Sequence, residues 1–371
     1  MQLNIVSNKR DLRDFIRFPY DLYQDDPNWV APLRSEQWAQ FDPKKNPMLD
    51  HCEVQFLLLK EDGKVIGRCS AFVDHLAVEH WGEPIGLFGS FECIECLKAA
   101  HTLLKGAQDW LAKQGMKRMR GPWSFASQEW GLEIEGGDQP PVILAPHNPP
   151  YYPKFLEAFG LEKAMDMAAY LADIDDGYVF PERYLTLTDR IAQRYSVRVR
   201  SVDMSQLEEE VMTIVDLSNQ SISDNWGYYP VTADEARVMA HDLKQIVNPD
   251  ALLIAEDQDG KPIGFALSLP DINQVLKDMH GRLFPFGWLK LLFGLKKIRK
   301  YRMWGLGVVP AYHGKAIDTL LYRATYEALI DHLGSMEINY VLENNHPMNN
   351  ALLKLGVVPN RRYRVYEKEI A

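Results

Sequence analysis

The segment GVVPAYHGKAIDTLLYRATYEAL, residues 307–329, contains the residue types of a phosphate-binding turn. An apolar run leads through a turn at Gly314 into a stretch with the apolar periodicity of an amphipathic helix. Backbone N–H groups at the start of such a helix, aided by the helix dipole, can bind a pyrophosphate, and Lys315 would add positive charge. The segment therefore predicts an anion-binding turn.

Asp318 is an unexpected residue in such a turn, because a carboxylate repels a phosphate. If its side chain caps the helix by accepting a free backbone N–H, the turn can still bind an anion. If it points inward, it opposes the ligand. Acids are common in the first turn of helices, which favours the capping interpretation, but the sequence leaves both open.

A second group of reactive side chains lies in the long segment RGPWSFASQEWGLEIEGGDQPPVILAPHNPPYYPKF, residues 120–155. A connection this long, and rich in glycine, proline and aromatic residues, is more often functional than idle. It supplies acids, a base and hydroxyls suited to proton transfer. The candidates taken from it are Glu129, His147, Tyr151 and Tyr152.

The cysteines do not predict a metal site. The four lie within the first 100 residues, and Cys93 and Cys96 form a lone CxxC pair. A structural zinc site usually has a second ligand pair at comparable spacing, which is missing here. We therefore expect no metal and ordinary reduced thiols.

An internal repeat predicts how these groups are positioned. The segments DGKVIG at 62–67 and DGKPIG at 259–264 each lie between two apolar runs, as in β-hairpins closed by an Asp-Gly turn. They are 197 residues apart, and two short helices that end at a glycine, FLEAFGL and LLKLGVV, are separated by 196. Matching offsets predict a duplicated domain, with halves at 1–178 and 179–371.

Each half has the same predicted order of elements: strand, helical region, hairpin, strand, long helix, strand, short helix and strand. The long helices are predicted near 94–114 and 315–332. This order indicates an α/β fold whose sheets are mixed and mostly antiparallel, with one helical crossover in each half.

The order of elements, the turn and the ending ENNHPMNNALLKLGVV resemble the GCN5-related N-acetyltransferase (GNAT) superfamily. The superfamily turn reads Gln or Arg, two residues, Gly, one residue, then Gly or Ala. His313 matches the first position and Ala316 the glycine position. The resemblance implies two tandem GNAT-like acyl-CoA N-acyltransferase domains, with a coenzyme A thioester as co-substrate and no metal. The cofactor-binding residues it implies are His313, Gly314, Lys315, Ala316 and Asn345.

The first half departs from this pattern. Its corresponding stretch, FGSFECIECLKAA, contains Glu92 and Glu95 and no glycine after Ser90, so anion binding there would be opposed. We expect an N-terminal GNAT-like domain without a phosphate loop and a C-terminal domain with a degenerate coenzyme A loop. In the second half, Leu352 replaces the tyrosine that superfamily members often use to protonate the leaving thiolate.

The resemblance implies an N-acyltransferase that moves an acyl group from a thioester to an amine entering between the halves. The N–H groups of Val308 and Val309 would polarise the thioester carbonyl. The candidate bases are Glu343, Asp224, Glu129 and His147, and the candidate acids are Tyr151 and Tyr152. Segments such as GLEIEG, PHNPPYY and DNWGYYPVT also resemble a two-domain bacterial family, and the architecture resembles that of bacterial GNAT-type ceramide synthases.

The segment LFPFGWLKLLFGLKKIRKYRMW, residues 283–304, has six Lys or Arg and no acid, although the chain carries a net charge of −10. It is too short and too charged to span a bilayer. A basic amphipathic segment suits a membrane surface, an acyl carrier protein or a lid over a fatty chain. The structural alternative is a helix packed on the domain with a solvated basic edge.

The composition limits which other classes of binding partner are expected. The acidic balance argues against nucleic acid, and with it against aminoacyl transfer from tRNA. With no signal-like N-terminus and no apolar run of 18 residues, we expect a cytoplasmic protein, peripheral at a membrane if residues 283–304 bind one. The alternative function is a non-catalytic ligand- or partner-binding protein of the same fold.

Overall fold

The computed structural model describes residues 1–124 and 130–370. The chain forms two compact units. The first unit comprises Met1–Asp166, Leu276–Gly287 and Arg361–Ala371, and the second comprises Met167–Val275 and Trp288–Asn360. This division differs from the sequence-based boundary, because residues 167–178 lie in the second unit and the end of the chain lies in the first.

The strands and helices follow the predicted order. The strands are β1 Gln2–Ile5, β2 Cys52–Glu61, β3 Lys64–Asp74, β4 Ile85–Cys93, β5 Arg118–Gly121, β6 Leu132–Glu135, β7 Glu162–Asp173, β8 Arg198–Ser201, β9 Leu252–Glu256, β10 Pro262–Pro270, β11 Lys300–Val308, β12 Ser335–Leu342 and β13 Val358–Glu369. The helices are α1 Lys9–Leu22, α2 Arg34–Gln40, α3 His75–Trp81, α4 Leu97–Lys113, α5 Tyr152–Ala158, α6 Glu182–Tyr195, α7 Leu207–Ser221, α8 Ala233–Leu243, α9 Asn273–Leu276, α10 Gly287–Gly294, α11 Ile317–Leu329 and α12 His346–Lys354.

In the first unit the strand order is β1-β2-β3-β4-β5-β13, with β6 also paired to β13. Neighbours are antiparallel except β4 and β5, which pair in parallel from Ile85↔Arg118 to Leu87↔Arg120. The crossover helix α4 covers the sheet, and its Leu103, Leu104 and Leu111 lie in the apolar core. This is the crossover that the apolar periodicity predicted.

In the second unit the strand order is β7-β12-β11-β10-β9-β8. Again one neighbouring pair, β11 and β12, is parallel, and the others are antiparallel. Helix α11 connects the parallel strands, and its Ile317, Leu320 and Leu321 pack into the core. Both units therefore have the mixed, mostly antiparallel sheet with one helical crossover that the sequence predicted, and the predicted fold class is confirmed.

The predicted hairpins are present in both units. Asp62 and Gly63 join β2 to β3 with φ of 50° and 78°, the left-handed backbone that a tight hairpin turn requires. In the other hairpin, between β9 and β10, the N–H of Asp257 donates to the carbonyl of Lys261 at 3.0 Å. Within the described residues, no helix is long and apolar enough to cross a membrane.

Candidate functional site

The parallel strands of the second unit separate partway along their length. They pair from Lys300↔Ser335 to Met303↔Ile338, yet β11 continues to Val308 and β12 to Leu342. Beyond Met303, the pairs recorded for β11 within the described residues are with β10 alone. The facing edges of the two strands therefore leave a gap, and the turn that follows β11 lies at the end of that gap.

Strand geometry shows which backbone groups face the gap. The N–H of Val309 donates to the carbonyl of Ile263 at 2.9 Å, so it is committed to the neighbouring chain. In an antiparallel ladder, positions that exchange hydrogen bonds alternate with positions that do not. The N–H of Val308 consequently points to the opposite edge, toward the gap. This geometry supports the predicted oxyanion role for Val308 and argues against it for Val309, whose N–H is not available.

The turn has the backbone form of an anion-binding nest. Gly314 and Ala316 have φ of 74° and 58°, so Ala316 adopts the left-handed conformation usually taken by glycine. Within the described part of the chain, the N–H groups of Gly314, Ala316 and Ile317 donate to no protein acceptor. Lys315 places its ammonium 4.1 Å from the ring centre of Tyr312. These groups fit a diphosphate, which would accept the free N–H groups.

Asp318 lies in the first turn of α11, and its carboxylate accepts backbone N–H groups of Thr319 and of Asp318 itself. Burial raises the pKa of Asp318, while these hydrogen bonds and the charge of His313 oppose that rise. The N-cap residue of α11 is Ala316, and the N–H of Thr319 also donates to the carbonyl of Ala316 at 3.1 Å, so Asp318 is not the N-cap that the capping interpretation required. His313 folds back, with its Nε2 2.7 Å from the carbonyl oxygen of Val308.

Three other predicted residues of the second unit lie outside this turn. Glu343 is exposed directly after β12, and Asp224 is exposed on the loop after α7. The side chain of Asn345 is the N-cap of α12, where its Oδ1 accepts the N–H of Met348 at 3.2 Å. A capping role alone explains Asn345.

The first unit has a polar cluster around Glu92, which lies at the eighth position of β4. Glu92 Oε2 accepts hydrogen bonds from the hydroxyls of Tyr23 at 2.6 Å and Tyr152 at 2.8 Å. Burial raises the pKa of Glu92, and the nearby Arg68 guanidinium and the two hydroxyls counteract part of that rise. A carboxyl group whose pKa is raised toward neutrality can act as a general base.

His147 is held between two carboxylates in the same unit. Its Nε2 lies 2.9 Å from Asp26 Oδ2, and its Nδ1 lies 3.3 Å from Glu133 Oε2. Burial by itself would lower the pKa of His147, but hydrogen bonds and charge from Glu133 and Asp26 outweigh it and raise the pKa. With both ring nitrogens engaged, the imidazolium is suited to stabilising this arrangement rather than to taking a proton from a substrate.

The two predicted tyrosines form hydrogen bonds with Cys93, the last residue of β4. Tyr151 donates to the carbonyl of Cys93 at 2.9 Å, and the Tyr152 hydroxyl accepts the N–H of Cys93 at 2.8 Å. Burial raises the pKa of both phenols, so both stay protonated. The structure thus brings together His147, Tyr151 and Tyr152 with Glu92, whereas Glu129 lies outside the described residues.

Sequence reasoning did not select Glu92, Tyr23, Arg68 or Asp26 as functional residues. The stretch IGLFGSFEC contained one usable signal, because an acid within an apolar strand requires partners when buried. The partners themselves could not be identified, since Tyr23 and Glu92 are 69 residues apart along the chain.

The equivalent positions differ between the units. The eighth residue of β11 is Gly307, where a Cβ atom would lie 2.2 Å from Ser221 Oγ, so no acid fits there. In the first unit, the residues that follow β5 remain hydrogen-bonded to β4. The N–H of Trp123 donates to the carbonyl of Phe88 at 2.8 Å, and the indole of Trp123 is buried. The second unit thus has the anion-binding turn, and the first unit has the buried acid.

Comparison with known proteins identifies chains of similar fold and sequence. No family model matches the chain. A tandem GNAT protein from the clavulanic acid biosynthesis pathway superimposes with a TM-score of 0.61 at 13% identity, over 100% of this chain and 99% of that one. The chain is 37% identical to Protein YghO of Escherichia coli (strain K12), over 98% of this chain and 94% of that protein. It is 34% identical to a bacterial ceramide synthase of Caulobacter vibrioides, over 98% of this chain and 96% of that protein.

The chain is a tandem GNAT-fold protein, and the resemblance noted in the sequence is confirmed. It belongs to the family that includes YghO and the Caulobacter ceramide synthase.

Proposed function

We propose that this protein is an N-acyltransferase that moves an acyl group from a coenzyme A thioester to the amine of a long-chain, lipid-like acceptor. The observation that carries the proposal is the similarity, over nearly the whole length of both chains, to a bacterial ceramide synthase. A ceramide is a long-chain amino alcohol with an acylated amine, so its synthesis requires this class of reaction.

The anion-binding turn supports the donor part of the proposal. The free N–H groups of Gly314, Ala316 and Ile317 would bind the diphosphate, and Lys315 would add charge complementarity. The thioester supplies an acyl carbon activated for attack by an amine. The N–H of Val308 faces the strand gap, where it can stabilise negative charge on the carbonyl oxygen.

Proton transfer requires two groups of the chain. The amine must lose a proton as the amide bond forms, and the departing sulfur must gain one as its bond to carbon breaks. Glu92 has the environment of a base, and Glu343 and Asp224 are carboxylates open to solvent. Tyr151 is half-buried and is the more accessible of the two candidate acids, because Tyr152 is almost fully buried.

The first experiment measures activity and donor binding together. The purified chain is incubated with acetyl- or palmitoyl-coenzyme A and a long-chain amino alcohol, and thiol release and amide mass are followed. Gly314→Glu places a carboxylate in the turn, and we expect at least a hundredfold loss of activity and no thermal stabilisation by the donor. Palmitoyl transfer exceeding acetyl transfer would indicate that the donor carries a long acyl chain.

Gly63→Glu is the matched control. Gly63 and Gly314 have φ of 78° and 74°, and at both positions a Cβ meets nothing within 4 Å, so the backbone strain and added charge are alike. The control is expected to keep the parent activity. Equal activity of the two variants would overturn the proposed donor site, and donor binding without thiol release would favour a non-catalytic binding protein.

We further propose that residues 283–304 bind the surface of an anionic membrane, where a lipid-like acceptor would be found. Its large apolar side chains are 45% to 75% exposed within ten consecutive residues, namely Phe284, Phe286, Trp288, Leu292 and Phe293. The same segment has six cations and no acid. Arg302 is fully buried and Arg299 pairs with Asp175 at 2.6 Å, so the exposed cations that could attract headgroups are Lys290, Lys296, Lys297 and Lys300. Apolar residues that insert at the interface together with cations that attract anionic headgroups are typical of peripheral membrane binding.

Vesicle sedimentation tests this surface. The protein is expected to sediment with vesicles containing phosphatidylglycerol and much less with phosphatidylcholine alone. The double variant Phe284→Ser/Phe286→Ser should lose at least tenfold in binding. Val179→Ser removes another apolar side chain, 70% exposed, and serves as the control. Unchanged binding of the double variant would contradict a membrane role, as would binding to an acyl carrier protein without binding to vesicles.

A further inference from the structure

Three side chains with metal-binding atoms meet where the hairpin β2–β3 opens, in the first unit. Cys52 begins β2 and lies directly across from Asp74, which ends β3, and His51 precedes Cys52. Their ligand atoms all lie within 4.8 Å of one another. His51 Nδ1 is 3.0 Å from Asp74 Oδ1 and 3.8 Å from Cys52 Sγ.

Asp74 has one oxygen committed and one available. Its Oδ1 accepts the N–H groups of Leu76 and Ala77 at 3.0 and 3.1 Å, as the N-cap of α3, in addition to His51. Its Oδ2 is buried and has no hydrogen-bond partner among the described residues, and Asp74 as a whole is only 1% exposed. A buried carboxylate oxygen without a partner is costly, and a cation would satisfy it.

We propose that His51, Cys52 and Asp74 bind a divalent transition metal of the zinc class. A metal about 2.1 Å from nitrogen and about 2.3 Å from sulfur would span the 3.8 Å separation of His51 Nδ1 and Cys52 Sγ at about 120°, near the tetrahedral angle. The carboxylate ligand would be Asp74 Oδ2, the oxygen without a hydrogen-bond partner among the described residues. A thiolate and a carboxylate balance the charge of the ion, and the sulfur and imidazole ligands select zinc or cobalt over magnesium or calcium.

The cysteine pattern predicted no metal, and the proposed site does not use the CxxC pair. In the CxxC pair, Cys93 is fully buried in the core, and burial raises the pKa of its thiol, which opposes the thiolate that a metal needs. Cys52 is half-buried, and the metal would displace its proton. Three ligands from the protein leave a fourth position for water or an exchangeable ligand.

Cobalt titration of the metal-free, full-length protein tests the site. Bound cobalt in contact with a thiolate absorbs in the near ultraviolet, and we expect one equivalent to give this band and zinc to abolish it. Cys52→Ser should remove the band. Asp74→Asn keeps the helix cap, since asparagine caps equally well, and should weaken cobalt binding at least tenfold.

Cys96→Ser is the control, because it removes the other half-buried thiol and leaves the proposed ligands intact. The band should persist in this variant. Zinc should also raise the melting temperature of the parent and of Cys96→Ser, and not that of Asp74→Asn. Absence of the band in the parent, or its loss in Cys96→Ser alone, would overturn the proposal. Since these readouts do not involve acyl transfer, failure of the proposed function would leave the result unaffected.

Discussion

At the scale of single residues, the chemistry of Glu92 is determined by groups that the strand itself does not contain. Two phenol hydroxyls and a buried guanidinium keep the carboxyl group available for ionisation in a place where burial alone would keep it protonated. Such a balance between burial and hydrogen bonding is common at catalytic positions. Glu92 is therefore a candidate base whose pKa can be altered by substituting its neighbours.

Removing the Tyr23 hydroxyl should shift the acid limb of the pH–rate profile. The hydrogen bond from Tyr23 lowers the pKa of Glu92, so in Tyr23→Phe that pKa rises and the acid limb moves to higher pH. Tyr20→Phe is the control, because its hydroxyl donates to the carbonyl of Pro32. Measuring kcat/KM from pH 5 to 9 distinguishes the two. Identical acid limbs for Tyr23→Phe and the parent would exclude Glu92 as the base, and Glu92→Gln should abolish turnover while donor binding persists.

His147 makes stability depend on pH. Because its pKa is raised in the folded state, protonated His147 stabilises the fold fully below its unfolded pKa of about 6.5, and this contribution is lost as the pH rises through the folded value. The melting temperature of the parent should therefore exceed that of His147→Gln most at pH 6, with the gap narrowing toward pH 9.

The control for this pH dependence is His75→Gln, which removes an exposed histidine paired with Glu53. Exposed pairs contribute little to stability, so its melting temperature should follow that of the parent at every pH. A gap for His147→Gln that stays constant from pH 6 to 9 would show that His147 stabilises by packing alone.

At the scale of elements, the important junction is the one between β11 and α11. The turn keeps three N–H groups for a ligand by placing Ala316 in a left-handed conformation, while Asp318 occupies N–H groups of the first helical turn. The N–H groups available to a ligand are thus adjacent to those beside the Asp318 carboxylate. The carboxylate still lies close to where the diphosphate would bind.

Asp318→Asn should strengthen donor binding. The amide can accept the same N–H groups without the negative charge, and we expect about a fivefold gain in affinity, equivalent to about 1 kcal/mol. Since the pKa of Asp318 is raised, the parent loses this charge as the pH falls, and the gain should be smaller at pH 5 than at pH 8. Calorimetry with coenzyme A measures it.

Asp331→Asn removes the same charge beyond the far end of α11, where the residue is exposed, and should leave donor affinity unchanged. If Asp318→Asn binds the donor no better than this control, the diphosphate does not bind beside Asp318.

At the scale of the whole molecule, the first unit includes a segment that is far from the rest of the unit in sequence. Residues from Arg361 onward belong to it, and β13 pairs with β5 and β6. The Arg361 side chain is buried with Glu133, 228 residues earlier, and its Nη2 also donates to the carbonyls of Gln139 and Pro140 at 3.0 and 2.9 Å. The first unit therefore cannot form its full set of contacts until the residues from Arg361 onward have been synthesised.

Arg361→Met should destabilise the protein strongly, because it leaves Glu133 buried without its guanidinium partner. We expect a loss of about 3–5 kcal/mol in the free energy of unfolding. Arg362→Met, one residue along, removes an arginine that is half exposed and forms a 3.5 Å pair with the exposed Glu135, and it should cost less than about 1 kcal/mol. Urea unfolding of the two variants measures the difference, and equal losses would contradict the buried-pair interpretation.

Features that depend only on neighbouring residues could be predicted from the sequence alone. The Asp-Gly hairpin turns, the amphipathic crossover helices and the order of elements are encoded by local backbone preference and by apolar periodicity. The exposed apolar segment near Phe284 and Trp288 was also visible, because its composition sets it apart wherever it lies. These signals were sufficient for the fold class.

The tertiary structure decided which distant residues meet and which backbone groups stay free. Composition could not pair Glu92 with Tyr23, or His147 with Asp26, because the topology of the sheet and its connections creates those contacts. The left-handed backbone of Ala316 was equally hidden, since alanine has no intrinsic preference for it. A local pattern constrains dihedral angles and faces, whereas a site depends on the long-range packing that brings remote segments together.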